Sequence, residues 1–258
     1  MKKVTAFLGT YSKKHTWSAV QRFTKLLQSL GDVDCEIVPI GDYELETCRG
    51  CKLCFEKREE FCPLKDDRDA LIEKMALSDG IVFASPNYAF HASACMKIFL
   101  DRLAFFLHRP FFFGKAFTSI VTQGVYGGRQ ITRYLDFFAE GLGINTVRGS
   151  CLTALEPLTE RERRKNDEAL AAQGDRFYKR LLQPGFPSPS LFRLMAFRFA
   201  RTSMRLELDE TSRDYAYYKD KGWFESAYYY PTRLGFLKSV SGYLLDNAAT
   251  RMARRRAK

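Results

Sequence analysis

The sequence predicts a doubly wound α/β fold, in which helices cover both faces of a five-stranded parallel sheet, followed by a mostly helical C-terminal extension. Three observations carry this. Short apolar runs alternate with amphipathic stretches five times between residues 3 and 182, the order that βαβ units produce. The apolar runs are continuous, as expected of strands buried on both faces. A proline-rich break, Pro-Gly-Phe-Pro-Ser-Pro-Ser from position 184, separates this stretch from one of different composition.

Residues 3–9 (KVTAFLG) read as the first strand, and 10–16 as a polar loop. Residues 17–30 read as a helix, with Val20, Phe23, Leu26, Leu27 and Leu30 at helical spacing. Residues 35–40 form the second strand, and a cysteine-bearing loop follows. Residues 67–77 form a helix with Asp66 or Asp67 near its cap. A strand at 80–84 leads to a helix at 93–106, a strand at 116–122 to a helix at 129–142, and a strand at 144–152 to a long charged helix at 160–182. Right-handed crossovers restrict such a chain to doubly wound topologies. Ligands of these sheets bind at the carboxyl ends of the strands, so the loops after strands one, three and four are the expected site.

We divide the chain into residues 1–183 and 184–258. Of 37 aromatic residues, 14 lie in the second part, including Tyr228-Tyr229-Tyr230. The net charge is +11, and residues 184–258 hold 14 basic against 7 acidic residues. A basic surface can meet nucleic acid, anionic lipid or an acidic partner, or serve as a solvated face. Leu191, Leu194, Met195 and Phe199 form an apolar stripe with Arg198, Arg201 and Arg205 on another face. That segment could pack on the core, cross a dimer or lie on a membrane. The basic end RMARRRAK carries no recognisable nucleic-acid module, and nucleic acid is not expected as a partner. No apolar run approaches the ~20 residues of a spanning helix. The start, MKKVTAFLGTYSKKH, is too briefly apolar for a signal-peptide core, which leads us to expect a cytoplasmic protein.

The loop after strand one presents Thr10, Ser12, Thr16 and Ser18 with Lys13 and Lys14 ahead of a helix. Helix N-termini favour anions, so this loop reads either as a phosphate site or as a polar loop capped by Thr16. The loop after strand three carries Ser85-Pro86-x-Tyr88, then Ser93-Ala94-x-x-Lys97-x-Phe99-x-Asp101-Arg102. With Gly9-Thr10-x-Ser12-Lys13 before Thr16, Gly114-Lys115, and Thr122-x-Gly124-x-x-Gly127-Gly128, these motifs resemble the NADPH-dependent FMN reductase and iron–sulfur flavoprotein family over about residues 1–182. The phosphate loop is one residue shorter than the family's common form.

The resemblance implies a flavodoxin-like fold that binds FMN. Thr10, Ser12, Lys13, His15, Thr16 and Trp17 would serve the phosphate side, and Pro86, Asn87, Tyr88, Thr122, Gly124 and Gly127 the ring. Pro86 would fix the backbone beside the ring, Tyr88 would offer an aromatic face, and the glycines would permit close approach. Lys97 and Asp101 read as a structural pair. His91 is a candidate proton donor or a plain loop histidine, and His108 has no evident role. No catalytic side chain is expected, because the cofactor carries the hard step.

Seven cysteines are present. Cys48, Cys51, Cys54 and Cys62, spaced C-x2-C-x2-C-x7-C and followed by Pro63, suit a 4Fe–4S cluster better than zinc. The alternative is a loop of reduced thiols shaping a dimer contact or pocket. Cys35, Cys95 and Cys151 lie in apolar surroundings and read as core residues. The expected function is transfer of hydride from NAD(P)H through FMN to a small-molecule or redox-protein acceptor, in a homodimer or higher homo-oligomer. The alternatives are an electron carrier with FMN and a 4Fe–4S cluster, or a non-catalytic binding protein of the same fold.

Overall fold

The structure is a computed structural model that describes the backbone of residues 1–183 and 185–256 and the side chains through residue 252. The boundary expected at 184 falls on a residue outside those described. The elements in chain order are β1 (Lys2–Leu8), α1 (His15–Leu30), β2 (Val33–Pro39), α2 (Leu53–Glu56), α3 (Arg68–Ala76), β3 (Gly80–Tyr88), β4 (His91–Ala92), α4 (Ala94–Arg102), β5 (Ala116–Gln123), α5 (Gly128–Gly141), β6 (Asn145–Thr146), β7 (Ser150–Thr153), α6 (Glu160–Leu182), α7 (Leu191–Glu207), α8 (Arg213–Asp220) and α9 (Phe236–Arg256).

The strands pair in the order β2-β1-β3-β5-β6, with β7 also beside β5 and β4 beside β3. Every pairing is parallel except β3 with β4. Successive side chains of a strand point to opposite faces, and the core splits accordingly. Val4, Ala6, Leu8, Val82, Ala84 and Ile120 pack with Phe23 and Leu27 of α1 and Phe177 of α6. Phe7, Ile81, Phe83, Phe117 and Val121 pack on the other face with Leu71, Phe99 and Leu135 of α3, α4 and α5. On that face Phe83 meets Phe7, Phe99 and Phe117 edge-on, at 5.9, 5.7 and 5.1 Å between centroids, a geometry that aromatic quadrupoles favour.

Local signals explain the ends of the elements. Thr159 and Glu162 form a reciprocal capping box that starts α6. Beyond shifts of one or two residues at other ends, three elements differ from expectation. The third strand runs on through Tyr88, because Ser85 and Pro86 still pair with Val121 and Thr122. It then doubles back onto His91–Ala92 through Ala89 and Phe90, at φ 49° and 63°. This is a two-residue hairpin turn of left-handed residues, built here without glycine. The helix expected at 93–106 ends at Arg102 and gives way to a 3-10 turn at Ala104–Leu107.

The fifth strand is split into β6 and β7. At the split Gly149 lies so close to β5 that a Cβ there would stand 2.0 Å from Ser119 Oγ. Asp136 on α5 closes the gap, accepting from Ser119 Oγ at 2.8 Å and from Gly149 N at 3.4 Å.

The chain divides into two compact units. One holds Met1–Arg49 and the chain from Leu64 through α6; the other holds Gly50–Pro63 and the chain from Gly185 through α9. The second unit is built on aromatic contacts. Phe197 packs on Tyr228 and Tyr229, Trp223 packs on Tyr218, and Trp223 Nε1 donates to Tyr229 O at 3.0 Å. Of the stripe on α7, only one residue packs within the unit. Leu194 is buried, but Leu191, Met195 and Phe199 are exposed. Arg198 and Arg201 face inward, bonding Asp246 and the carbonyls of Ala227 and Ser226. Among the described residues no helix is long and apolar enough to cross a membrane. The basic end RMARRRAK runs beyond the described residues.

Burial pushes the Asp136 carboxyl up to about 6, while Ser119 and Gly149 donate to the carboxylate and pull the other way. A carboxyl raised in the folded state stabilises the fold below its unfolded pKa near 3.8 and loses that contribution as pH rises through about 6. Asp136→Asn removes the titrating charge and leaves one acceptor oxygen in place of two, a change that is itself independent of pH over this range. The stability advantage of the unsubstituted protein over this variant, from urea unfolding, is expected to fall steadily between pH 4 and pH 7 (about the bounds set by the two pKa values). A difference that is flat or rises with pH contradicts this.

Candidate functional site

A cavity of about 200 Å³ opens at the carboxyl ends of β1, β3 and β5, where a doubly wound sheet places its ligands. Thr10, Ser12, Lys14, His15 and Thr16 line one side. Pro86, Asn87 and Tyr88 line another, and Thr122, Gln123, Gly124 and Ala154 close it.

The first side is an anion cradle by local geometry. Helix α1 begins at His15, and no side chain caps it. Thr16, one of the two readings' N-cap, is instead buried inside the first turn, its hydroxyl 2.7 Å from Thr122 Oγ1. The leading N–H groups of α1 are thus left to whatever enters the cavity, and the first turn contains no acidic residue. Thr10 Oγ1 accepts from Ser12 N at 3.1 Å, folding the loop over the helix end.

One buried residue fixes the loops that form the cavity. Ser93 caps α4, accepting from Met96 N at 3.2 Å, and its hydroxyl donates to Gly9 O at 2.5 Å. Its own N–H donates to Ser85 Oγ at 2.9 Å. Gly9 is required here, because a Cβ would come within 2.5 Å of Met96 Cβ.

On the second side, Asn87 Nδ2 donates to Tyr126 O at 2.8 Å and ties the loops after β3 and β5 together. Asn87 Oδ1 is buried and has no hydrogen-bond partner among the described residues. A buried acceptor left open is costly, and it marks where a ligand's N–H would dock. Tyr88, Phe90, Val125 and Tyr126 stand exposed around it, with the rings of Phe90 and Tyr126 5.1 Å apart.

Nine of the twelve expected flavin-side residues therefore line one cavity. Lys13, Trp17 and Gly127 lie off its wall. Lys13 Nζ sits 5.2 Å from the Trp17 ring, a cation–π contact, and Gly127 starts α5 at φ 97°. Lys14, expected only as a cation of the loop, also lines the cavity, and Gln123 and Ala154 were not anticipated. Lys14 and Gln123 adjoin expected residues, whereas Ala154 arrives only because β7 pairs with β5 up to Gln123 and Thr153. His91, on β4, is exposed beside Tyr134, with ring centroids 5.1 Å apart.

The cysteine loop is clamped at its roots. Arg102 and Asp66 form an ion pair at 2.8 Å with side chains 2% and 4% exposed. Asp66 also accepts from Glu46 N and Arg68 N, and Asp67 from Glu44 N. Asp67 occupies the N-cap position of α3 yet makes no side-chain cap bond, because its carboxylate is spent on closing the loop. Lys97 and Asp101 pair at 2.5 Å, as expected.

Cys48 belongs to the first unit, and Cys51, Cys54 and Cys62 to the second. Among the described residues no group of three or more Cys, His, Asp or Glu is arranged to hold a metal ion. The four thiols have the donor chemistry of an iron–sulfur cluster. Burial pushes the thiols of Cys35, Cys95 and Cys151 up to about 11, so they stay protonated and unreactive at neutral pH.

A parallel doubly wound sheet with an anion cradle at its carboxyl edge defines a flavodoxin-like α/β protein. More narrowly, the sequence profile of the NADPH-dependent FMN reductases matches residues 2–155, and the chain belongs to that family. An iron–sulfur flavoprotein of Archaeoglobus fulgidus is 35% identical over 115 residues, 44% of this chain and 51% of that protein. One of Methanocaldococcus jannaschii is 40% identical over 70 residues, 27% of this chain and 35% of the other. The chain spans about half the length of the curated relatives it matches. Among solved structures, an apo NADH:FMN oxidoreductase covers 72% of this chain, and 92% of itself, with a TM-score of 0.52 and 18% identity. RosB with bound 8-demethyl-8-formylriboflavin-5′-phosphate covers 92% of both chains at a TM-score of 0.59 and 13% identity. These two likenesses establish the fold.

Ser93→Ala removes the α4 cap and leaves the Gly9 carbonyl without its buried donor. The expected cost is about 2 kcal/mol of unfolding free energy, read by urea denaturation. A loss below about 0.5 kcal/mol would show that Ser93 does not hold these loops.

Proposed function

We propose that the chain binds FMN in the cavity at the carboxyl edge and works as an NAD(P)H-dependent flavin oxidoreductase in the cytoplasm, passing electrons to a small molecule or a redox protein. The observation that carries the reading is the uncapped α1 N-terminus. It lies among Thr10, Ser12, Lys14 and Thr16 on the same cavity wall system as the open Asn87 Oδ1. One end suits a terminal phosphate, and the other a planar heterocycle bearing an N–H.

FMN supplies the hydride and electron transfer when bound. The chain's part is to bind and orient. Helix α1 and the hydroxyls hold the phosphate, Pro86 leaves a stretch of backbone with no donor of its own, and the Asn87–Tyr126 bond keeps the ring-side loops together. No side chain here is assigned as an acid or base; His91 is exposed and pairs with Tyr134. The exposed Tyr88, Phe90, Val125 and Tyr126 are where a second protomer or the acceptor would close the ring side.

Substituting Ser12 and Lys14 together by Ala should weaken FMN binding about tenfold or more while leaving riboflavin binding nearly unchanged, as measured by flavin fluorescence quenching. Equal weakening of both ligands would remove the phosphate from this end. Adding NADPH or NADH anaerobically to the FMN-loaded protein should bleach the visible flavin bands. Bands that ignore both donors would reject the reductase reading.

The relatives' names and the C-x2-C-x2-C-x7-C spacing favour a second reading, an electron carrier holding FMN and a 4Fe–4S cluster on Cys48, Cys51, Cys54 and Cys62. Iron and acid-labile sulfide assays on anaerobically purified protein decide it. Near four irons per chain, lost with Cys51→Ser, supports the cluster; iron-free protein after reconstitution excludes it.

A further inference from the structure

Helix α9 is assembled the wrong way round for a helix that meets only its own unit and water. Its inward face is made of small and polar residues. Gly242 and Ala249 are buried, and Asp246 takes Arg198 at 2.6 Å, Arg201 at 2.7 Å and the Thr202 hydroxyl at 3.0 Å. The outward face carries the bulk of the apolar surface. Phe236, Leu237, Tyr243 and Leu244 are 82%, 79%, 67% and 62% exposed, and Val240 is exposed too. At about 100° per residue these five fall within an arc of about 120°, opposite Gly242 and Ala249. Single exposed apolar residues are ordinary, but five on one face mark an interaction surface.

Charge decides what it meets. Asp246 is the sole acidic residue of α9, and it is turned inward onto two arginines. Arg251, exposed, continues the outward arc, and the sequence of the last turn is Arg254-Arg255-Arg256. Among the described residues the outward face is thus apolar, with the cation of Arg251 at its end and no carboxylate. A second copy would bring the same cations against these, from a segment with 14 basic and 7 acidic residues. An acyl-chain boundary beneath anionic headgroups satisfies both halves.

We propose that α9 docks in the plane of an anionic membrane surface, with Phe236, Val240, Tyr243 and Leu244 in the headgroup boundary and Arg251 on lipid phosphates. Aromatic residues favour that depth. The helix lies on the bilayer and does not span it, in keeping with the absence of a crossing helix among the described residues.

The test is sedimentation of the full chain with vesicles of phosphatidylglycerol mixed with phosphatidylcholine, and with pure phosphatidylcholine. The protein should sediment with the mixed vesicles only, and less as salt is raised. Phe236→Glu with Leu244→Glu should lower the partition about tenfold or more, while circular dichroism and flavin titration stay unchanged. Arg251→Glu should weaken it several-fold and flatten its salt dependence. As a second readout, Tyr243→Trp should add a blue-shifted emission on mixing with anionic vesicles. The proposal is overturned if the unsubstituted protein stays in the supernatant, or if it binds pure phosphatidylcholine equally. It is also overturned if light scattering shows an oligomer that the double substitution splits, since a second copy then covers the stripe.

Discussion

The site depends on one side chain that touches no ligand. Ser93 uses its N–H and both capacities of its hydroxyl, on Ser85, Gly9 and Met96. Those three partners lie in the second half of β3, at the residue after β1, and in the first turn of α4. The sheet by itself fixes the strands to within the register of their hydrogen bonds, but it does not fix the loops that leave them. Ser93 does so by satisfying a carbonyl and an amide that would otherwise be buried without partners, a penalty comparable to a lost hydrogen bond each. Because Gly9 must come within contact of Met96 for this to happen, the phosphate loop is held against α4 before it turns into α1. The uncapped helix end is therefore aimed, and its open N–H groups are tolerable because they face a cavity rather than the core.

The cysteine loop shows a second kind of constraint. Its roots are closed by Asp66, Asp67 and Arg102 inside the first unit, whereas the span Gly50–Pro63 is compact with the second. There Glu59 pairs with Arg213 of α8 at 3.6 Å. A fully buried pair such as Arg102–Asp66 is weak evidence for stability, since desolvation offsets much of its attraction. It is better evidence for specificity: an arginine at the end of α4 finds one carboxylate of the right reach, and that choice sets where the loop starts and ends.

Much of the architecture was legible in the sequence, because buried parallel strands and amphipathic helices write their periods directly into the residues. The parallel doubly wound sheet, its two covered faces and nine residues of the cavity follow from that pattern and from the motif resemblance. What was not legible involved contacts remote in sequence. The continuation of β3 through Tyr88 depends on pairing with β5, which Pro86 does not advertise. The split of the fifth strand depends on Gly149 meeting Ser119 and Asp136. Ala154 reaches the cavity only through the β5–β7 register. In each case a partner about 13 or more residues away decides the local structure, and no local window contains it.

The second unit shows a stricter limit. Period assigns residues to a common face, but it does not say which face is inside. Leu191, Met195 and Phe199 share one face of α7, and Arg198 and Arg201 another. The ordinary inference buries the apolar set. Here the arginines go inward, because Asp246 and the carbonyls of Ser226 and Ala227 supply acceptors for their guanidinium groups. Each guanidinium then has the carboxylate and a carbonyl as partners, which offsets part of the desolvation cost, and the apolar stripe lies at the surface. Helix α9 repeats the inversion with Asp246 as its inward anchor. An acidic residue within reach of two arginines thus sets the orientation of both helices, and it is the reason this unit turns apolar surface outward.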